Sequence, residues 1–142
     1  MNRSSSILLG VLAVAVFAMP AQAQESYMAD LTGEAEVPGP GDPDGAGIAT
    51  LDWNTMNEEL CYALAVDYVD PATAAHVHRG VAGENGPPVI TLETPGIDGG
   101  SDGCVEISNA LRTELRENPS GFYVNVHNDA YPAGAVRGQL ER

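Results

Sequence analysis

Short apolar runs, separated by stretches of Gly, Pro and Asp, are the feature that most constrains how this chain can fold. The 142 residues include 16 Gly and 10 Pro, and these residues interrupt the chain too often for many long helices. The residues between these Gly and Pro positions favour extended structure, and turn-forming residues end each run. The pattern predicts β-strands at 27–31, 47–53, 60–68, 74–78, 88–92, 104–107, 122–127 and 135–140.

A single segment, 108–118, carries a helical pattern. Ser108 can cap its start and Pro119 stops it. Leu111 and Leu115 lie four residues apart, which places them on one helix face. Seven or eight short strands with one short helix predict an all-β fold, an immunoglobulin-like Greek-key sandwich or barrel.

Two further details of the strand prediction concern burial and loops. Both faces of the run 60–68 are apolar, which favours a central strand buried on both sides. The stretches 37–46 and 96–103 are rich in Pro, Gly and Asp and are predicted to be loops.

The first 23 residues are typical of a signal peptide. Arg3 precedes the apolar stretch 7–17, and Ala21-Gln-Ala23 has the small-residue pattern of a cleavage site. The apolar stretch is too short to cross a bilayer, which takes about 20 residues. We therefore expect a signal peptide at 1–23, one mature domain at 24–142, and a secreted or periplasmic protein with no membrane anchor after cleavage.

The charge balance limits the partners of the protein. Acidic residues number 20 against 6 basic ones, so the formal net charge is −14. This balance argues against binding to nucleic acid, which needs a basic face. A strongly negative surface keeps the protein soluble and favours the uptake of cations, so a metal ion is the expected partner, with protein partners as the alternative.

Cys61 and Cys104 are the only two cysteines. An exported chain enters an oxidising compartment, where two such residues pair. Their spacing is far from the Cys-x-x-Cys pattern of redox sites. We expect a structural disulfide.

All three histidines fall in predicted strands. His76 and His78 are two residues apart, so both rings share one face of their strand. By the same parity, His127 shares a face with Tyr123 and Asn125, opposite the apolar residues of that strand. The sequence therefore predicts three imidazole rings directed away from the main core.

A His-x-His pair with a third histidine from a neighbouring strand suits copper, with zinc as the second choice. Three imidazoles leave one coordination position open. In the final hairpin, the predicted register pairs Asn125 with Arg137 and Tyr123 with Gln139. Arg137 would then lie near the site, where its guanidinium either attracts a small anion or belongs to a structural polar network with Asn125 and Tyr123.

The longest motifs of the chain closely resemble the CHRD domain, a module first described in chordin. They are Ala75-His-Val-His-Arg-Gly-Val-Ala-Gly-Glu-Asn-Gly-Pro-Pro-Val-Ile90, Gly121-Phe-Tyr-Val-Asn-Val-His127 and Pro132-Ala-Gly-Ala-Val-Arg-Gly-Gln-Leu140, with Leu31-Thr-Gly-Glu-Ala-Glu-Val-Pro38 near the start. The resemblance implies an immunoglobulin-like β-barrel and says little about activity. Ala135-Val136 replace the Glu-Ile that the final motif often carries.

The histidine arrangement is also similar to the copper half of copper/zinc superoxide dismutase. A fourth histidine and the zinc ligands of that enzyme are missing here, so dismutation is not the favoured function.

Two hypotheses remain. The first is an exported protein that binds copper through His76, His78 and His127, for metal handling or redox chemistry. The second is a non-catalytic extracellular or periplasmic interaction module, whose contact face would hold Tyr123, Asn125, Tyr131 and Arg137.

Overall fold

The computed structural model describes residues 25–142, so the predicted signal peptide at 1–23 lies outside the described residues. The main elements are β1 (Ser26–Thr32), β2 (Ala46–Asn54), β3 (Glu59–Asp67), β4 (Ala72–Arg79), β5 (Pro88–Leu92), β6 (Gly100–Val105), α1 (Asn109–Glu117), β7 (Phe122–Asn128) and β8 (Val136–Gln139). A short 3-10 turn, Pro119–Gly121, follows α1.

Within residues 25–142, the eight strands form one antiparallel sheet that curls into a nearly closed barrel. The strand order is β5-β4-β7-β8-β1-β2-β3-β6. Because a barrel buries one side of each strand, alternate apolar side chains meet inside it. The all-β fold with one short helix that the sequence predicts is therefore confirmed.

The barrel interior holds a single apolar cluster. Most strands contribute every second residue, as the period of two requires. The buried members are Tyr27, Ala29, Leu31, Ala49, Leu51, Trp53, Leu60, Tyr62, Leu64, Val66, Ala75, Val77, Ile90, Leu92, Leu115, Phe122, Val124, Val126, Val136 and Leu140.

The prediction that β3 is buried on both faces is wrong. Only its even-numbered residues are buried, whereas Ala63 and Ala65 are exposed on the outside of the barrel. Small apolar residues are tolerated on a solvated face, so an apolar pattern alone did not separate the two sides. The strand also ends at Asp67, and Tyr68 is 79% exposed with a φ of 58°.

The predicted bounds of the strand at 104–107, after a loop at 96–103, are also wrong. β6 occupies Gly100–Val105, and its Gly100 and Ser101 pair with β3. Backbone pairing with β3 outweighs the low strand propensity of Gly and Asp there. Within this ladder Cys61 lies directly opposite Cys104, and the two form the predicted disulfide.

The helix agrees with the prediction. Ser108 caps it, and its hydroxyl oxygen accepts a hydrogen bond from the backbone N–H of Leu111 at 3.2 Å. Leu115 is buried against the barrel. Arg112 makes two hydrogen bonds to the carboxylate of Glu25, at 2.7 and 3.0 Å, and lies over the Trp53 ring. These contacts hold the helix against the barrel.

β7, like its neighbour β8, has both of its faces covered. Its inward residues fill the core, and its outward residues Tyr123 and Asn125 are each only 2% exposed. Two loops lie across this outer face: the β1–β2 loop, residues 33–45, and the β4–β5 loop, residues 80–87. The outer side of β7 and β4 is therefore a second, partly polar interior.

Candidate metal centre

β4 and β7 pair antiparallel and place the three histidines on the outer face of the barrel. In this ladder His76 lies opposite Asn125, His78 opposite Tyr123, and His127 opposite Ala74. Opposite residues of an antiparallel pair share a face. The parity predicted from the sequence therefore holds, and the three rings lie on the side opposite the core residues Ala75 and Val77.

The structure brings the three predicted histidines together. The ring centroid of His76 lies 5.5 Å from that of His78 and 5.4 Å from that of His127, and the centroids of His78 and His127 are 6.2 Å apart. Each ring offers one nitrogen, and these three nitrogens all lie within 4.8 Å of one another. Among residues 25–142 this is the one group of three or more His, Cys, Asp or Glu side chains that meets this geometry.

Two of the rings are oriented by backbone carbonyls. Nδ1 of His78 lies 2.9 Å from the carbonyl oxygen of Gly86, and Nδ1 of His127 lies 3.1 Å from that of Pro132. A carbonyl oxygen only accepts, so Nδ1 of each ring carries the proton and donates. The lone pair of each neutral ring is therefore at Nε2, as in metal-bound histidines whose other nitrogen is held by a second group.

The nitrogens left over have no protein partner. Nε2 of His78, Nε2 of His127 and Nδ1 of His76 are all buried and make no hydrogen bond within the described chain. An unpartnered buried polar atom costs about 1–3 kcal/mol. Three such atoms lie on adjoining rings, where they are available to bind an additional group.

Burial also sets the charge of the rings. It is the largest cause that lowers the pKa of His76, His78 and His127 below the ordinary histidine value, and the neighbouring rings lower the pKa of His76 further. The rings are therefore neutral near pH 7. Neutral imidazole is the form that binds a metal ion.

A stack of three groups supports the site from one side. The ring of Tyr123 lies flat against that of His78, and the guanidinium of Arg137 covers the same tyrosine ring with Cζ 3.5 Å from its centroid. Since β4 and β8 flank β7, the two groups approach Tyr123 from opposite sides. The stack restrains His78 through packing as well as through its hydrogen bond.

Arg137 is 1% exposed. Its guanidinium donates to the carbonyl oxygens of Val81 and Glu84, at 3.0 and 2.8 Å, and to the side chains of Asn85 and Gln139. The predicted register with Asn125 opposite Arg137 is confirmed. These contacts favour the structural-network role of Arg137 over the attraction of an anion, because both of its terminal amino groups already have acceptors.

The predicted contact face does not exist as such. Tyr123, Asn125 and Arg137 are all buried, at 2%, 2% and 1% exposed, and only Tyr131 retains partial exposure. The prediction treated the outer face of β7 as solvated, whereas loops 33–45 and 80–87 cover it. An interaction surface would have to lie elsewhere.

Sequence reasoning missed Glu36, which lies under the β1–β2 loop. It is 6% exposed and accepts a hydrogen bond from the side-chain amide of Asn125. Burial raises its pKa to about 7, although nearby Arg137 and the Asn125 hydrogen bond act to lower it. Its signal was present in the motif Glu34-Ala-Glu36-Val-Pro38 of the resemblance, but a lone acidic residue beside a Pro-rich loop gave no reason to expect burial.

The fold and site together define a small antiparallel β-barrel domain with a three-histidine centre on its loop-covered outer face. The chain matches the CHRD domain over residues 27–140, nearly all of the part that the structure describes, and it belongs to the CHRD domain family. No curated protein and no solved structure matches the chain. The family and the disulfide indicate an extracellular or periplasmic domain. Within residues 25–142, no helix combines the length and the apolar character that a membrane crossing requires.

Proposed function

We propose that this protein is exported and binds one copper ion through His76, His78 and His127. Two observations carry the proposal: each of the three rings holds a buried nitrogen without a hydrogen-bond partner, and one nitrogen from each ring lies within 4.8 Å of the other two. Structural histidines usually use both ring nitrogens or leave one in water. Here the polar ends of three rings meet in a shared space.

The dimensions of the cluster suit an ion after a small contraction. Imidazole nitrogens bind copper or zinc at about 2.0–2.1 Å, which places two nitrogens of a tetrahedral site about 3.4 Å apart. Nitrogens within 4.8 Å of one another approach this spacing by modest ring rotations. The hydrogen bonds to Gly86 and Pro132 define how His78 and His127 rotate, because Nδ1 of each ring is held while Nε2 moves inward.

The ligand set favours copper first and zinc second, and it suits magnesium and calcium least. Imidazole suits copper and zinc, whereas magnesium and calcium prefer oxygen ligands, and copper(II) binds nitrogen sites more tightly than zinc does. The net charge of −14 attracts a cation toward the protein at low ionic strength. The biological role we propose is metal handling, meaning sequestration or transfer, with redox chemistry at the bound ion as an extension.

Copper titration of the protein, followed by metal analysis, tests this function. One ion per chain should bind, and His78→Ala and His127→Ala should each weaken binding by a large factor because each removes one of three donors. Surface carboxylates could bind copper nonspecifically, so Glu58→Gln, a change at an exposed acidic residue, is the matched control. Equal affinity in the wild type and both histidine variants would overturn the proposal.

A different surface supports the second candidate, a protein-interaction module. Ile97 is fully exposed and Tyr68 is 79% exposed, and both line a surface cavity of about 310 Å³. Exposed apolar side chains grouped on one surface are a feature of interaction sites. A photo-crosslinker at position 97 should capture one specific protein, whereas the same group at exposed Met56 should not. No specific capture at position 97 would contradict this role.

A further inference from the structure

Asn125 carries a fourth unpartnered polar atom on the face that holds the three histidines. Its side chain is 2% exposed, and its carboxamide oxygen Oδ1 is buried without a hydrogen-bond partner. Within the described chain, four of the seven buried side-chain atoms in this condition belong to His76, His78, His127 and Asn125. Of the remaining three, one belongs to Tyr27 on β1, one to Ser101 on β6 and one to Asn128, whose position at the end of β7 places it by parity on the opposite face. The largest group of unpartnered atoms therefore lies at one site.

The strand ladder places Asn125 beside two of the histidines. It lies directly opposite His76 on β4 and two residues before His127 on the same face of β7. Opposite residues in an antiparallel pair have their Cβ atoms about 4.5–5.5 Å apart. Asn125 therefore starts from a position within side-chain reach of the histidine cluster.

The amide group has a defined orientation. Its nitrogen Nδ2 donates to the carboxylate of Glu36. A Cβ built on Gly134, just before β8, would overlap both this nitrogen and that carboxylate, so the donating end lies on the β8 side of β7. β4 flanks β7 on the other side. The oxygen end of the amide is thus turned toward the side that carries His76.

We propose that Oδ1 of Asn125 is a fourth donor to the metal ion, with Glu36 holding the amide so that its oxygen faces the site. This inference rests on the proposed copper function. An amide oxygen with three imidazole nitrogens completes a four-coordinate set that copper(II) and zinc accept. A protein site that fills four positions favours holding an ion over turnover, because turnover needs an open position.

Two substitutions of Asn125 separate its oxygen from its packing. Asn125→Leu keeps the branched shape and the number of heavy atoms and removes the oxygen, so copper(II) affinity should fall about tenfold or more. Asn125→Asp keeps an oxygen donor, now with a negative charge, but loses the amide N–H that donates to Glu36, so its copper(II) affinity should exceed that of Asn125→Leu. The electron paramagnetic resonance spectrum of the copper(II) form should change in both variants, because the donor set changes.

Val126→Ala is the control. Val126 is also buried on β7, 0% exposed, but by parity it lies on the opposite face of the strand. Its substitution should cost stability without changing the copper(II) spectrum. This control separates loss of a donor from general damage to β7.

The outcomes distinguish this inference from the function on which it rests. If Asn125→Leu binds copper with wild-type affinity and spectrum while His127→Ala loses binding, Asn125 is not a donor and the three-histidine function stands. If the wild type binds no copper, both fail. Should Asn125→Leu not fold, Asn125→Asp decides, and an unchanged copper(II) spectrum in that variant overturns the inference.

Discussion

His78 and Tyr123 stack face to face, with ring centroids 4.8 Å apart and planes inclined by 13°. The hydroxyl of Tyr123 also reaches Gly86, whose N–H donates to it at 3.3 Å and whose carbonyl oxygen orients His78. The same tyrosine is covered by Arg137. The position of one candidate ligand therefore depends on an aromatic ring, a loop and a buried guanidinium together.

Arg137→Lys should destabilise the fold by about 2–4 kcal/mol. Lysine keeps the charge but loses the planar contact with Tyr123 and cannot serve acceptors in the same fork geometry, which leaves buried carbonyl oxygens unpaired. Urea unfolding of the metal-free protein measures the loss. Arg79→Lys is the control, because Arg79 pairs with Glu114 at a position where both side chains are about half exposed. Its effect should stay below about 1 kcal/mol, and an equal effect in both variants would contradict the account.

Gly86→Ala should loosen His78. A Cβ at this position would collide with the carbonyl oxygen of Arg79, so the loop 80–87 must move and the carbonyl of Gly86 moves with it. Nitrogen-15 NMR should show the Nδ1–H tautomer of His78 in the wild type and a mixture of tautomers in the variant. Gly100→Ala is the control, since a Cβ there meets only one atom, at 4.0 Å. A wild-type tautomer in Gly86→Ala would show that the hydrogen bond does not fix the ring.

The sequence determined the strand pattern and the histidine faces because both depend on a period of two. Once 74–78 and 122–127 were recognised as strands, parity placed His76, His78 and His127 on a common side, and the hairpin length set the pairing of Asn125 with Arg137. These are local rules. They need no knowledge of how distant loops fold.

The path of the loops could not be predicted in this way. The burial of Glu36 and the positions of the Gly86 and Pro132 carbonyls depend on how the loops pack over β7. No periodic sequence pattern reports this packing. The same omission made Tyr123 and Asn125 look solvated. The displaced β6 has a related cause, because Gly100 joins the ladder through its backbone, which pairs regardless of the side chain.

Glu36→Gln should change how stability depends on pH. The pKa of Glu36 is raised from 4.5 to about 7 in the folded protein. The folded state therefore holds a proton that the unfolded state has released, and wild-type stability falls as pH rises from about 4.5 through 7. Glutamine cannot ionise, so it avoids this loss, which amounts to about 3 kcal/mol for such a shift.

The measurement is the free energy of unfolding of the metal-free wild type and Glu36→Gln at pH 4.5 and pH 8. The difference between the two proteins should shift in favour of the variant at the higher pH. The histidines titrate in both proteins, so their contribution cancels in the comparison. A difference that does not change with pH would mean that Glu36 has an ordinary pKa.

The disulfide should contribute strongly to stability. Cys61 and Cys104 are 43 residues apart, and closing a loop of that length restricts the unfolded chain by about 4 kcal/mol as an upper figure. The double variant Cys61→Ala/Cys104→Ala should lose about 2–4 kcal/mol in urea unfolding. Thiol counting on the denatured wild type should find no free thiol. Two free thiols, or an unchanged unfolding midpoint in the double variant, would contradict a structural disulfide.

X-ray absorption spectroscopy of the protein loaded with one equivalent of copper tests the central claim most directly, because imidazole rings give a characteristic outer-shell signal. We expect three imidazole ligands with nitrogens at about 2.0 Å, and two in His127→Ala. A spectrum of oxygen ligands without imidazole scattering, unchanged in His127→Ala, would place copper on surface carboxylates and contradict the three-histidine centre.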